Sequence, residues 1–361
     1  MARIGATSTA TRPPLELTHE DEFELRHLAA DLEREAMLAY EDFTYTHNRY
    51  VNPERWKLLR TKGELQVFRE RDSVKHSDLS TPSFADEAPS LSYSTETSSS
   101  FTDDGIPLRK TTVTAMEIGP RQSMAANSSM PCLLVTGSTN GSLDDALYGI
   151  SIHDTPSLRT RSVYQKEGVD DAAVVATLET GDDEDPYRFM GIMWFVKDYP
   201  VLNAVVRPRD LLLFTSIRQS TTSRGERIGI VFYHSITHRD LPEHSKSSVI
   251  RVQNSLSIVM RQLNDQRLEI FMINFVDPMG RVPEMFVSQD IAHALLTSAD
   301  LPTTGVKKKI NFLLRHRNRF WSTRDDEEQT LSATTCCCAC DKRLAGFFSN
   351  NGSVCQLCRE V

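Results

Sequence analysis

The stretch Arg267-Leu-Glu-Ile-Phe-Met-Ile-Asn-Phe-Val-Asp-Pro-Met-Gly-Arg-Val-Pro283 carries the reading of the fold. From Leu268 to Val276 it is short, rich in β-branched and aromatic residues and bounded by turn formers, which predicts a strand rather than a helix. Alternation places Phe271, Ile273 and Phe275 on one face. That face is expected to point into a concave interior beneath a C-terminal helix. Asp277 to Gly280 reads as a turn, because Asp can accept from its own downstream backbone and Gly can supply a positive φ.

The same pattern recurs upstream at Ala173 to Leu178, Phe189 to Val196, Leu211 to Ile217, Arg227 to His238 and Val249 to Ile258. Short turns rich in Asp, Gly, Pro and Ser separate these runs, so an antiparallel meander is the economical topology. Further back, Cys132 to Gly137 reads as a buried strand and Ser142-Leu-Asp-Asp145 as a helix cap. Arg55 to Arg71 gives two strand pieces around Lys62-Gly63. Thr18-x-x-Asp21 caps a helix whose Leu25, Leu28, Leu32, Ala36 and Ala39 share a face. Downstream, Gln289 to Ser298 and Val306 to Phe320 read as helices interrupted by Leu301-Pro-Thr-Thr-Gly305. The fold class is α+β.

Composition sets bounds on function. The 361 residues are 39% hydrophobic and 25% charged, with a net charge of −8. This is a globular composition without the basic footprint that nucleic acid requires. No run approaches the roughly 18 apolar residues of a membrane span, and residues 1–17 read as a flexible terminus without a secretory core. Between Ser73 and Pro131 Ser, Thr, Asp and Pro dominate, and residues 73–110 read as a disordered insertion with too little apolar surface to offset ordering. Lys110 to Ile118 reads as a candidate returning strand.

Six of the seven cysteines fall in residues 336–361, beyond a linker at 321–335, which points to a reducing, cytoplasmic setting and to metal. Cys337-Cys-Ala-Cys340 and Cys355-Gln-Leu-Cys358 are two Cys-x-x-Cys pairs, so Cys337, Cys340, Cys355 and Cys358 are candidate ligands of a tetrahedral zinc. Catalytic signatures are missing. Gly137 and Gly141 lack the Lys-Ser/Thr of a phosphate loop, and His234 and His238 lie on a strand rather than in His-Glu-x-x-His, so they read as structural and the protein as a non-enzyme.

Taken in order, Gly137-x-x-x-Gly141-Ser-Leu-Asp-Asp-Ala-Leu-Tyr-Gly149, Trp194-Phe-Val, Pro208-Arg-Asp-Leu-Leu-Leu-Phe214, Gly225-Glu-Arg-Ile, His234-Ser235, Val249-Ile-Arg251 and Asp277-Pro-Met-Gly-Arg-Val-Pro283 resemble the START family over residues 18–320. The resemblance implies a helix-grip fold: an N-terminal helix, a curved antiparallel sheet and a C-terminal helix over a cavity. The Pro302 and Gly305 interruption departs from that pattern. The cysteine-rich segment, residues 336–361, resembles the opening of a FYVE-like zinc finger, truncated to two of four cysteine pairs and lacking the basic phosphoinositide-binding stretch.

The resemblance implies lipid binding or transfer, with a sterol, phospholipid or other apolar ligand as partner and Trp194, Phe214, Phe232, Arg251, Phe271, Ile273 and Phe275 as candidate lipid contacts. Trp194 also reads as core, and Arg209-Asp210 as an ion pair or turn contact. Arg251, if inward, must be paired or meet a head group. The apolar stripe of Val306, Ile310, Leu313 and Leu314 is expected to cover the sheet, with peripheral membrane contact as the alternative. The rival function is a non-catalytic adaptor with a filled cavity, whose finger docks a protein partner.

Overall fold

A computed structural model of the chain describes residues 14–71, 113–115, 132–197, 207–242, 249–280 and 284–321. The expected insertion at residues 73–110 and all the candidate zinc ligands lie outside them. Helix α1, His19–Glu41, starts at the predicted cap: Thr18 Oγ1 accepts from Asp21 N at 3.2 Å while Thr18 N donates to Asp21 Oδ2 at 2.8 Å. A π-helical turn, Asp42–Thr46, extends it. Strands β1 (Trp56–Lys62) and β2 (Leu65–Glu70) form the expected hairpin, β3 is Val113–Ala115 and β4 is Leu133–Asn140. Helix α2, Leu143–Ile150, follows with Ser142 Oγ accepting from Asp145 N at 3.1 Å. Helix α3, Thr155–Gln165, was not legible from apolar periodicity; a capping box between Asp154 and Ser157, with Pro156 in the first turn, announces it.

The meander then runs through β5 (Asp171–Thr180), β6 (Phe189–Lys197), β7 (Arg209–Thr221), β8 (Arg227–His238), the short β9 (Ile250–Arg251), β10 (Gln253–Asn264) and β11 (Arg267–Asp277). Helix α4 is Glu284–Leu296, and a 3₁₀ turn, Thr297–Asp300, leads into α5, Leu301–Trp321. The sheet order is β1-β2-β4-β11-β10-β8-β7-β6-β5, with β3 on β8 and β9 parallel to β7. The expected turn after β11 is present: Asp277 Oδ1 accepts from Met279 N at 2.8 Å, and Gly280 has φ +75°.

Both faces of this sheet are covered. On one, Leu32, Ala36, Tyr40 and Phe43 from α1 and its extension pack on Ile230, Phe232, Val259, Phe271, Ile273 and Phe275. The same side continues through Leu25 and Ala29 onto Ile192, Trp194, Leu212 and Phe214. The other face carries Leu213, Val231, Ile258, Ile270 and Met272 beneath residues of α2, α3 and α4. The expected orientation of Phe271, Ile273 and Phe275 is therefore reversed: they lie under α1, not under the C-terminal helix. The alternation is right, but β11 is buried along its whole length from Leu268 to Val276, so hydrophobicity does not distinguish its two sides.

Two expectations for the C-terminal helices are also corrected. Pro302 and Gly305 do not break a helix, since both belong to the beginning of α5, where a proline N–H is not needed. Gly305 instead lets α5 approach α2. A Cβ there would collide with the carbonyl oxygen of Asp145, and one on Gly149 would collide with that of Leu301. Nor does the α5 stripe cover the sheet, because α4 already occupies that face; Val306, Ile310, Leu313 and Leu314 are exposed.

Lys308 fastens the same junction. Its Nζ donates to the carbonyls of Tyr148 and Ser151 and to Ser151 Oγ, the last two at 3.0 and 3.2 Å, occupying acceptors that the end of α2 leaves open. Burial, with Arg161 nearby, pushes the Lys308 pKa down to about 8 from 10.5. Two outcomes follow. Gly305→Ala should lower stability by about 1–3 kcal/mol in urea denaturation, because backbone rather than a flexible side chain must yield. Folding disfavours the charged Lys308, so between about pH 8 and 10.5 the unfolded chain holds the extra proton and stability rises with pH. The stability difference between wild type and Lys308→Met should follow that rise; a difference independent of pH would contradict it.

Candidate functional site

The face opposite α1 bears a partly open cavity of about 690 Å³. Its walls come from alternate strand residues, Phe195 on β6, Leu211 and Leu213 on β7, Leu256 and Ile258 on β10, and Met272 on β11. Helix α4 supplies the cover. Val287, Asp290, Ile291, Ala294 and Leu295 all line the cavity, a spacing of three, four, seven and eight that brings them onto one helical stripe. Lys197 Nζ, from the end of β6, reaches both carboxylate oxygens of Asp290 at 3.0 and 3.2 Å and ties α4 to the sheet.

Besides Lys197, Arg209 and Asp290, the wall carries a group of polar side chains around Arg161. Arg161 from α3 is 3% exposed, and its Nη1 donates to Tyr233 Oη at 2.9 Å while Nη2 stands 3.2 Å from Glu167. Ser162 Oγ also donates to Glu167, at 2.8 Å. Burial opposes the Arg161 charge, but Glu167 and the Tyr233 hydroxyl outweigh it and hold its pKa above the ordinary value. Burial likewise raises Tyr233, against the pull of Arg161. On the strands, Asn274 Nδ2 donates to Asn254 Oδ1 at 2.8 Å. Arg161 Nε, Gln165 Nε2 and Asn274 Oδ1 are buried and have no hydrogen-bond partner among the described residues. The site is thus an apolar chamber with a charge-balanced polar corner and hydrogen-bonding capacity left over.

None of the seven residues expected to touch lipid lines this chamber. Phe232, Phe271, Ile273 and Phe275 belong to the core under α1, and Trp194 and Phe214 to its continuation. Each stands one residue out of phase with a cavity residue, as Trp194 does with Phe195 and Phe232 with Tyr233. Arg251 is paired rather than free: Nε and Nη2 donate to the two oxygens of Asp210 at 2.9 and 2.8 Å, and Trp194 Nε1 donates to the same carboxylate at 3.0 Å. Its neighbour Arg209 does line the cavity, and its Nη2 donates to the Met279 carbonyl at 3.4 Å.

Of the residues that sequence reading missed, Tyr233 and Asn274 carry a signal, a polar side chain within an otherwise apolar strand, whereas Arg161 and Gln165 lie on the polar helix α3 and Asn254 in the polar start of β10. His234 and His238 do not line the cavity; His234 Nδ1 is 3.0 Å from Ser255 Oγ, and His238 Nδ1 accepts from Asp240 N at 3.1 Å. Among the described residues no group of three or more His, Cys, Asp or Glu side chains is placed to hold a metal, and no helix is long and apolar enough to cross a membrane.

No curated protein matches the sequence. Among solved structures, human StAR-related lipid transfer protein 5 superposes with a TM-score of 0.45 at 11% identity, covering 80% of this chain and 98% of that one. Human STARD10 gives 0.43 at 12% identity over 78% and 86% of the two chains. A StAR-related lipid transfer protein from Xanthomonas axonopodis gives 0.35 at 10% identity over 70% and 95%. Residues 166–296, from the end of α3 to the end of α4, match the START domain family. The chain therefore contains a START-like domain, a curved antiparallel sheet gripped by α4, whose sheet continues beyond the matched residues through β1, β2 and β4.

Proposed function

We propose that the protein binds a lipid in the chamber between the sheet and α4 and carries it between membranes. The observation that supports this most directly is the chamber itself. A volume of about 690 Å³ with apolar walls and a small polar corner suits an amphiphile with one polar end, and its size falls within the range of small-molecule sites. The match of residues 166–296 to the START domain supports the same reading. The ligand class is a sterol, a phospholipid or another apolar molecule. Its polar end would meet Gln165, Tyr233 and Asn274, and α4 would act as the cover.

Native mass spectrometry of the full chain purified from its own cytosol, with lipid extraction, tests the reading. A recurrent bound lipid is expected. Ala294→Trp, which places an indole inside the chamber, should abolish uptake, whereas Ile273→Val on the opposite face should leave uptake unchanged while costing about 0.5–1.5 kcal/mol of stability. A wild-type chain that carries no lipid and transfers none between vesicles would favour the adaptor reading instead.

The cysteine-rich segment adds a metal to this proposal. Cys337, Cys340, Cys355 and Cys358 lie outside the described residues, and the support is their spacing alone, two pairs able to offer four thiolates to one zinc. A single zinc per chain should appear in metal analysis and be lost in Cys340→Ser and Cys358→Ser, with the START-like domain still folded. A chain without stoichiometric zinc would remove the assignment, and with it the FYVE-like finger as a protein-docking element.

A further inference from the structure

Helix α5 begins as part of the domain and leaves it within two turns. Leu301 lines the chamber and Thr304 is fully buried, whereas Val306, Ile310, Leu313 and Leu314 are 43, 37, 41 and 38% exposed. Their spacing of four, seven and eight forms one stripe about 100° wide, ordinarily the signature of a helix face packed on a core. Here the core is already closed by α4, and α5 lies beyond the residues that match the START domain. The stripe is surplus to the packing of the described residues.

The remaining composition of α5 says what would cover it. From Leu301 to Trp321 the helix carries Lys307, Lys308, Lys309, Arg315, Arg317 and Arg319 and no acidic residue, in a chain whose net charge is −8. Lys308 is engaged by α2, and Lys309 Nζ pairs with Asp145 at 2.6 Å. Lys307 and Arg315 have no ion pair among the described residues, and the helix ends in the sequence Phe320-Trp321. A second copy of this chain would bring another helix of the same charge against this one. Nucleic acid would answer the charge but offers no apolar medium for four aliphatic side chains. An anionic bilayer answers both, through headgroups for the cations and acyl chains for the stripe.

We propose that α5 is a membrane-docking helix that lies in the interface of an anionic bilayer, with Val306, Ile310, Leu313 and Leu314 inserted and Lys307 and Arg315 at the headgroups. The docking element is separate from the lipid chamber, so it stands or falls independently of cavity binding. The depth expected of such a helix is about 5–10 Å, and its attachment weakens as salt rises.

The test is flotation of the full chain with vesicles of phosphatidylcholine alone and of phosphatidylcholine with about one-third phosphatidylserine, a content chosen to give a substantial negative surface potential. Wild type should float with the second and largely not with the first. The double variant Ile310→Asp, Leu314→Asp should lose at least about tenfold in partitioning, and Lys307→Glu with Arg315→Glu should lose the preference for phosphatidylserine. All four positions are exposed, and an unchanged melting curve confirms that the variants are folded. Failure of wild type to float, or flotation of the Ile310→Asp, Leu314→Asp variant at the wild-type level, would overturn the proposal. So would a concentration-dependent dimer that this double variant abolishes without changing flotation, which would assign the stripe to self-association.

Discussion

Tyr40 and Phe43 hold helix α1 against the sheet by meeting the ring of Phe271, at centroid distances of 5.6 and 5.1 Å. The Tyr40 hydroxyl donates to Glu269 at 2.7 Å, and the same carboxylate accepts from Arg261 Nε at 3.0 Å and from Arg49 Nη2 at 3.1 Å. Burial alone would raise the Glu269 pKa, but these donors bring it below the ordinary value. A buried carboxylate without them would be costly; with them it fixes where α1 lies along β10 and β11. This dense face makes the other face possible. A chamber forfeits the dispersion contacts that packed side chains would make, and a sheet hollow on one side must be filled on the other.

The chamber is bounded by parts that differ in how firmly they are attached. The strands are joined by continuous ladders, while α4 is joined to the sheet through its apolar stripe and the pairing of Asp290 with Lys197. That pair is partly exposed and contributes modestly to stability, so its structural value is alignment rather than strength. The polar corner belongs to the opposite end of the argument. Arg161, Glu167 and Tyr233 come from a helix, a loop and a strand, and their mutual hydrogen bonds keep charge inside an apolar wall without leaving it unbalanced.

How far the sequence disclosed this arrangement varied with the kind of signal. The cap of α1 at Thr18 and Asp21 and the limits of β8 at Arg227 and His238 were legible, because caps and strand boundaries are local chemistry. The inward side of β11 was not. One side carries Glu269 and the other Asn274, and each is otherwise apolar; what separates them is that Tyr40, Arg49 and Arg261 come from elsewhere to meet Glu269. Helix α3 escaped notice because only one of its apolar residues, Leu158, is buried, although it supplies Arg161 and Gln165. The α5 stripe revealed an amphipathic helix but not its neighbour, since periodicity specifies a face and not what lies against it.

The crossing of α2 and α5 at Gly149 and Gly305 joins backbone to backbone, with no side chain between them to deform. It therefore fixes the point at which the two helices cross. The short arm of α5 ends at Leu301, in the wall of the chamber, and the long arm carries the exposed residues from Val306 onward. One continuous helix spans both, and the 3₁₀ turn at Thr297–Asp300 joins it to the end of α4.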